Sequence, residues 1–294
     1  MKLKDLSVLL LLTVAAFTIH GYHPAVEDAT IYVPGIMKIL NPALFPYGAE
    51  FFQTHARLTL FPNLMAESVR ISHASLSFVL LFWHLLSIFL LLLACWKLSG
   101  QLFEQRTARW AGVGLVAALL TMPVAGTSLY VMDEYLNPRS IAIFCAVFAV
   151  DAALKRRYLA VALWTILSAP IHPWMSVFGL SLVAVIFLFQ QFGGTEGMQT
   201  IPRRAPALPL FFPFGLSFGY PSQTYRRLIA DQSYLFLSQW TWYEWLGILG
   251  PLALFWWFHR IARKQSMPKL DLLCKALIVY QAVYFAMALA FTLP

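Results

Sequence analysis

The sequence predicts an all-α protein, a polytopic transmembrane helical bundle whose first extramembrane loop is long and carries juxtamembrane helices. Three observations predict it. Hydrophobic residues make up 60% of the chain and charged residues 12%, against roughly 25% charged in a soluble domain. The apolar residues are gathered into runs, and bilayer is the solvent that accepts that much apolar surface. The basic residues fall in small clusters between those runs. At a net charge of +8 this is the pattern of membrane topology rather than a nucleic-acid-binding patch, so no nucleic acid partner is expected.

The first run, residues 6–19, follows Lys2 and Lys4 and has the charged start of a signal peptide. No small-x-small cleavage site follows it in Phe17-Thr18-Ile19-His20-Gly21-Tyr22, which favours an uncleaved first span. A loop of about fifty residues, 21–73, comes next, too long for a mere connection. Its apolar pieces 31–40 and 58–65 are interrupted by Pro34, Pro42, Pro46 and Pro62. Pro34 suits the first turn of a short helix through Leu40, and such half-apolar helices lie along a membrane surface. Further runs stand at 74–98, 110–125, 140–153, 158–169, 174–189, 208–220, 243–259 and 270–291, about nine spans in one domain over 1–294. Several are shorter than the ~20 residues of a perpendicular helix, which neighbouring helices make tolerable. Pro209, Pro213, Gly215 and Gly219 mark 208–220 as broken or re-entrant. Cys95, Cys145 and Cys274 each lie inside an apolar run and read as small buried hydrophobes.

Charge counting orients the bundle. With the amino terminus inside, fifteen of the 21 basic residues fall inside and six, Lys38, Arg57, Arg70, Arg139, Arg226 and Arg227, fall outside, as the positive-inside rule requires. Eight of the 13 acidic residues fall outside. Trp240, Trp242, Tyr243 and Trp245 open the 243–259 span and Trp256 with Trp257 close it, as interfacial belts do. The outer loops are then 21–73, 126–139 and 221–242 of a multi-pass protein of the cell membrane.

Chemistry concentrates in those loops. Glu27-Asp28 stands just beyond the first span; a carboxylate at a water–membrane boundary acts as a general base or ligates a divalent cation. The competing account is that Asp28 caps a short helix. Asp133-Glu134 lies in the second outer loop, where Asn137-Pro138 already supplies the cap and first-turn proline of the next helix. For Asp133 the competing account is a structural ion pair with Arg139. His172 occupies the proline-bounded turn Pro170-Ile171-His172-Pro173 and could donate to a phosphate. Arg57 beside His55, and Arg226-Arg227, are outer cations suited to phosphate or pyrophosphate, or to lipid headgroups. His84 lies within a span, where a bond to a neighbouring helix is expected.

Together these features resemble the integral-membrane glycosyltransferases of the C-type fold, which include protein mannosyltransferases, oligosaccharyltransferase catalytic subunits and aminoarabinose transferases. The resemblance rests on one span followed by a long outer loop opening with Glu27-Asp28-Ala29-Thr30-Ile31-Tyr32 and Pro34. Asp133-Glu134 then stands between the third and fourth spans, followed by Asn137-Pro138-Arg139, Lys155-Arg156-Arg157 and Pro170-Ile171-His172-Pro173. It covers roughly 1–189 well and the remainder loosely.

The resemblance implies transfer of a sugar from a polyprenyl-phosphate or pyrophosphate donor to an acceptor on the outer face. Asp28 would be the leading catalytic carboxylate, with Glu27, as base or ligand of Mg or Mn. Asp133 and Glu134 would help assemble the acceptor or metal site, Asp28 and Asp133 being the metal candidates. Arg57, His55, Arg139, His172 and Arg226 would serve the donor phosphate. Neither acidic pair is an Asp-x-Asp, and family members commonly have more spans. The chain is thus also open to being the amino-terminal part of a longer protein, or a copy without activity. The rival class is a transporter or flippase for a lipid-linked or small amphipathic substrate, which usually shows inverted repeats and mid-membrane ionisable residues. Here the acidic pairs sit at the boundary and no repeat is visible.

Overall fold

The structure is a computed structural model that describes residues 2–49, 52–53, 57–122, 130–192 and 236–292. Among them every regular element is a helix. In chain order they are α1 Leu3–His20, α2 Ala29–Leu40, α3 Phe61–Ser72, α4 Leu76–Leu102 and α5 Arg106–Ala118. Then come α6 Pro138–Leu154, α7 Tyr158–Ser168, α8 Pro173–Phe192, α9 Trp242–Lys264 and α10 Pro268–Thr292. Four of them, α1, α4, α8 and α10, are long and apolar enough to cross a membrane. The expected span at 208–220 lies outside the described residues.

Local signals place the helix ends. Gly21 closes α1 at φ +80°, a conformation open to glycine. His73 closes α3 in the left-handed region, and the Ser75 hydroxyl then caps α4 by accepting from the Phe78 N–H. Asn137 caps α6 from the Ser140 N–H at 3.0 Å, with Pro138 in the first turn. One expectation is corrected. Helix α2 begins at Ala29, not Pro34, and Pro34 sits inside it. The first turn is built by backbone bonds from Thr30 to Glu27 and from Tyr32 to Asp28. Pro34 removes one interior bond from a helix already nucleated upstream.

The helices alternate in direction, which sorts the charges. At one end Arg106 of α5 pairs with Asp5 of α1, Lys155 pairs with Asp151, and Lys269 reaches Gln101. At the other end lie His20, Glu27, Asp133 and the α7–α8 turn. We refer to these as the basic end and the carboxylate end. Trp96 stacks on Trp110 between α4 and α5, and Phe148 on Trp164 between α6 and α7. Gly179 of α8 packs so close to Ala146 of α6 that a Cβ there would stand 3.2 Å from the Ala146 Cβ, the small-residue contact that lets membrane helices approach. Apolar side chains also face outward: Leu11 and Ile166 are each 68% exposed, and Val14, Leu163, Trp256 and Trp257 are exposed beside them. A water-soluble bundle would bury such stripes, so they define a lipid-facing surface.

Helices α2 and α3 form the juxtamembrane layer at the carboxylate end. Buried Tyr32 and Ile36 of α2 meet buried Phe61 and Met65 of α3 in the main core, with Tyr32 edge-on to Phe61 at 5.5 Å. The Trp83 indole of α4 donates to Ser68 of α3 at 3.1 Å, and Arg70 donates to the Ile39 carbonyl at 2.9 Å. That layer holds the 27–28 turn against the top of the bundle.

Candidate functional site

The two acidic pairs meet. The backbone N–H of His23 donates to the Glu134 carbonyl at 2.8 Å, joining the turn after α1 to the turn before α6. The His23 imidazole lies 3.4 Å from the Glu134 carboxylate in an exposed pair, where water screens most of the attraction. The Tyr135 phenol donates to Glu27 at 3.2 Å and also hydrogen-bonds the Asp28 backbone. One cavity of about 130 Å³ results, walled by Glu27, Thr121, Tyr130, Asp133, Glu134 and Tyr135 with Val26.

Each carboxylate has a different environment. Asp133 is 4% exposed and is held by the Arg139 guanidinium and the Asn137 side-chain amide. A buried charge needs such partners, so the ion pair with Arg139 exists and commits Asp133. Glu27 is exposed but bonded to Tyr135, and it holds a positive φ of +46°, uncommon outside glycine and asparagine and a mark of a constrained turn. Asp28 occupies the cap position of α2 yet makes no side-chain cap bond, so its exposed carboxylate is not used as a cap. Asp133, Glu27 and Glu134 thus each have a side-chain partner, and Asp28 is the one of the four whose cap position goes unused. Among the described residues no three His, Cys, Asp or Glu side chains cluster in a metal-holding arrangement, and no step below is routed through a metal.

The phenols report the local field. Burial first, and then the negative charge of Asp28, push Tyr32 up to about 12, with Arg139 opposing. Burial, followed by the charges of Asp133, Asp28 and Glu27, raises Tyr135 above its ordinary value, against the hydrogen bond with the Asp28 backbone. Asp28 acts on both phenols, Asp133 and Glu27 on Tyr135, and Arg139 on Tyr32, which places Arg139 among the acidic residues electrostatically. The Arg139 Nε is buried and has no hydrogen-bond partner among the described residues.

The other expected positions spread around the rim. Arg57 is exposed and donates to Gln53 at 3.3 Å. The nearby Leu60 N–H donates to the Pro170 carbonyl at 2.7 Å, which tethers that loop to the turn carrying His172. His172 Nδ1 accepts from the Met175 N–H at 3.2 Å, capping the start of α8. His55 and Arg226 lie outside the described residues. Tyr135 and His23 join the site without having been candidates in the sequence, and Tyr32 enters from the 27–32 motif. A tyrosine directly after Asp133-Glu134, and a His-Pro pair leaving the first span, were the available signals.

Comparisons with known protein families, with curated proteins and with solved structures find no match for the chain.

Proposed function

We propose that this chain is a membrane glycosyltransferase. It would move a sugar from a polyprenyl-phosphate-linked donor to an acceptor hydroxyl on the outer face of the cytoplasmic membrane, as a cell-envelope enzyme of about nine spans. The observation that carries the reading is that Glu27 and the pair Asp133-Glu134, about a hundred residues apart in sequence, wall one cavity, while Asp28 acts on Tyr135 of its wall and Arg139 pairs with Asp133. Asp28 is the general base: it takes the proton of the acceptor hydroxyl while that oxygen forms a bond to the anomeric carbon. The bond from that carbon to the phosphate oxygen breaks, and the phosphate leaves with the electron pair. Arg139, fixed by Asp133, and Arg57 stabilise the charge that develops there. Glu27, pinned by Tyr135, sets the turn that presents Asp28.

The test is transfer by the full-length protein in proteoliposomes supplied with a synthetic polyprenyl-phosphate hexose and a mixed pool of lipid and glycan acceptors. Release of polyprenyl phosphate together with a glycosylated product supports the reading. A second reading, a transporter or flippase of the same lipid-linked class, is favoured by one observation, the buried histidine of α4 described below. It predicts movement of the intact donor between leaflets with no release of polyprenyl phosphate.

A further inference from the structure

Beneath the carboxylate cavity lies a second, smaller recess. His84 sits on α4, two turns in from its carboxylate end and therefore about 12 Å deep at 1.5 Å per residue, and is 1% exposed. Its ring lies 5.1 Å from that of Tyr22 and 6.2 Å from that of Phe17. His84 Nδ1, the Tyr22 hydroxyl and the Ser87 hydroxyl one turn deeper are all buried with no hydrogen-bond partner among the described residues. Of these three, His84 is the one that lines a recess of about 10 Å³, together with Phe17, His20, Thr121, Asp133 and Glu134. That is about the smallest space that holds one water molecule, and buried polar groups clustered without partners are the usual setting for one.

The recess adjoins the larger cavity, because Thr121, Asp133 and Glu134 wall both. His20 is engaged on both ring nitrogens, with the Thr121 hydroxyl at 2.7 Å and the Ala117 carbonyl at 2.8 Å. His84 Nδ1 has no such bond among the described residues. The titratable groups facing the recess are His20 at the end of α1, and Asp133 and Glu134 before α6; Tyr22 stacks beside it. No titratable side chain of α3, α5 or α6 lines it among the described residues.

We propose that the recess binds one water molecule on His84 Nδ1 and that His84 is a buried proton-exchange site serving the carboxylate cavity. A proton reaching the wall shared by Thr121, Asp133 and Glu134 passes through that water to the imidazole, and the same path returns it. Uptake adds one proton to the ring and consumes no other reactant. The site does not rest on the transferase reading, since either a base-catalysed transfer or a proton-linked transport can draw on it.

Solid-state NMR of the full-length chain, with ¹⁵N-labelled histidine in lipid nanodiscs, tests the site by water-to-nitrogen magnetisation transfer. The seven histidines are resolved by loss of one signal in His84→Leu, and exposed His23 and His73 serve as hydrated controls. The proposal predicts transfer to His84 within milliseconds, comparable with the controls. A His84 signal that receives none while His23 and His73 do would overturn it. The melting temperature of His84→Leu gives an independent answer. A dry histidine with an orphaned nitrogen is improved by an apolar replacement, whereas a water-bonded one is not, so a fall of at least ~2 °C is expected and a rise contradicts the site. If His84→Leu does not fold, the measurement on the wild-type protein still decides, with His84→Gln used for assignment.

Discussion

At the scale of single residues, carboxylates that look alike in sequence do different work. Asp133 is buried and paired with Arg139, and Asp28 is exposed with no cap bond. Asp133→Asn keeps the shape but leaves Arg139 uncompensated. Breaking a buried pair from one side costs about 3–5 kcal/mol, so thermal unfolding in detergent should show a large loss of stability. Asp28→Asn should melt within about 0.5 kcal/mol of wild type, the ordinary range for surface changes. Equal stability of the two variants would contradict this division. The phenols make a second prediction. Burial holds Tyr22 and Tyr32 near 12 in the folded protein, while a tyrosine in the unfolded chain ionises near 10. Between those values the unfolded chain loses protons first, so the stability from keeping these phenols neutral is complete below pH ~10 and is lost as pH rises toward 12. Tyr22→Phe and Tyr32→Phe should therefore each flatten the alkaline decline in melting temperature. Variants that follow the wild-type curve would show that these phenols ionise freely in the fold.

At the scale of elements, the Asn137 cap is the most exacting case. Asn137 accepts from the Ser140 N–H through its oxygen and donates to Asp133 through its amide nitrogen. Aspartate caps a helix as well as asparagine does, yet Asn137→Asp would set a second carboxylate against Asp133. We expect Asn137→Asp to destabilise more than Ser140→Ala in chemical unfolding; the reverse order would mean that the cap alone matters. This cap was legible in sequence because Asn-Pro before an apolar run has a local mechanism. The apolar runs likewise give α1 and α4 to α10 nearly in place, since helix burial in lipid is written in hydropathy alone. The start of α2 was not legible. Pro34 is the strongest local mark in that loop, but backbone bonds around Glu27 and Asp28 nucleate the helix a turn earlier. The meeting of the acidic pairs could be guessed only from their shared loop side. The Arg139–Asp133 pair is local and stood in sequence as the competing account, whereas the bond from Tyr135 to Glu27 depends on a contact across the fold. For His84, composition gives a span, whereas the Tyr22 ring beside it and the unpartnered Nδ1 depend on three-dimensional packing.

At the scale of the whole molecule, the antiparallel helices put thirteen of the described basic residues at one end and four, Lys38, Arg57, Arg70 and Arg139, at the other. By the positive-inside rule the basic end would face the cytoplasm and the carboxylate cavity outward, which is the orientation we propose. An Asn63→Cys probe on the exposed side of α3, in a background with Cys95, Cys145 and Cys274 replaced by alanine, should react with an impermeant maleimide in intact cells. Reaction only after permeabilisation would turn the cavity inward and remove the proposed outer-face chemistry. The central claim is that Asp28 is the base of a transfer from a polyprenyl-phosphate sugar, and the most direct measurement is the transfer rate of Asp28→Asn in the full-length protein. Asparagine keeps the size and the capping ability but cannot take a proton. General-base catalysis contributes about 10²–10⁴-fold, so the rate should fall by that factor with the melting temperature unchanged. A folded Asp28→Asn protein that transfers sugar near the wild-type rate would contradict the account.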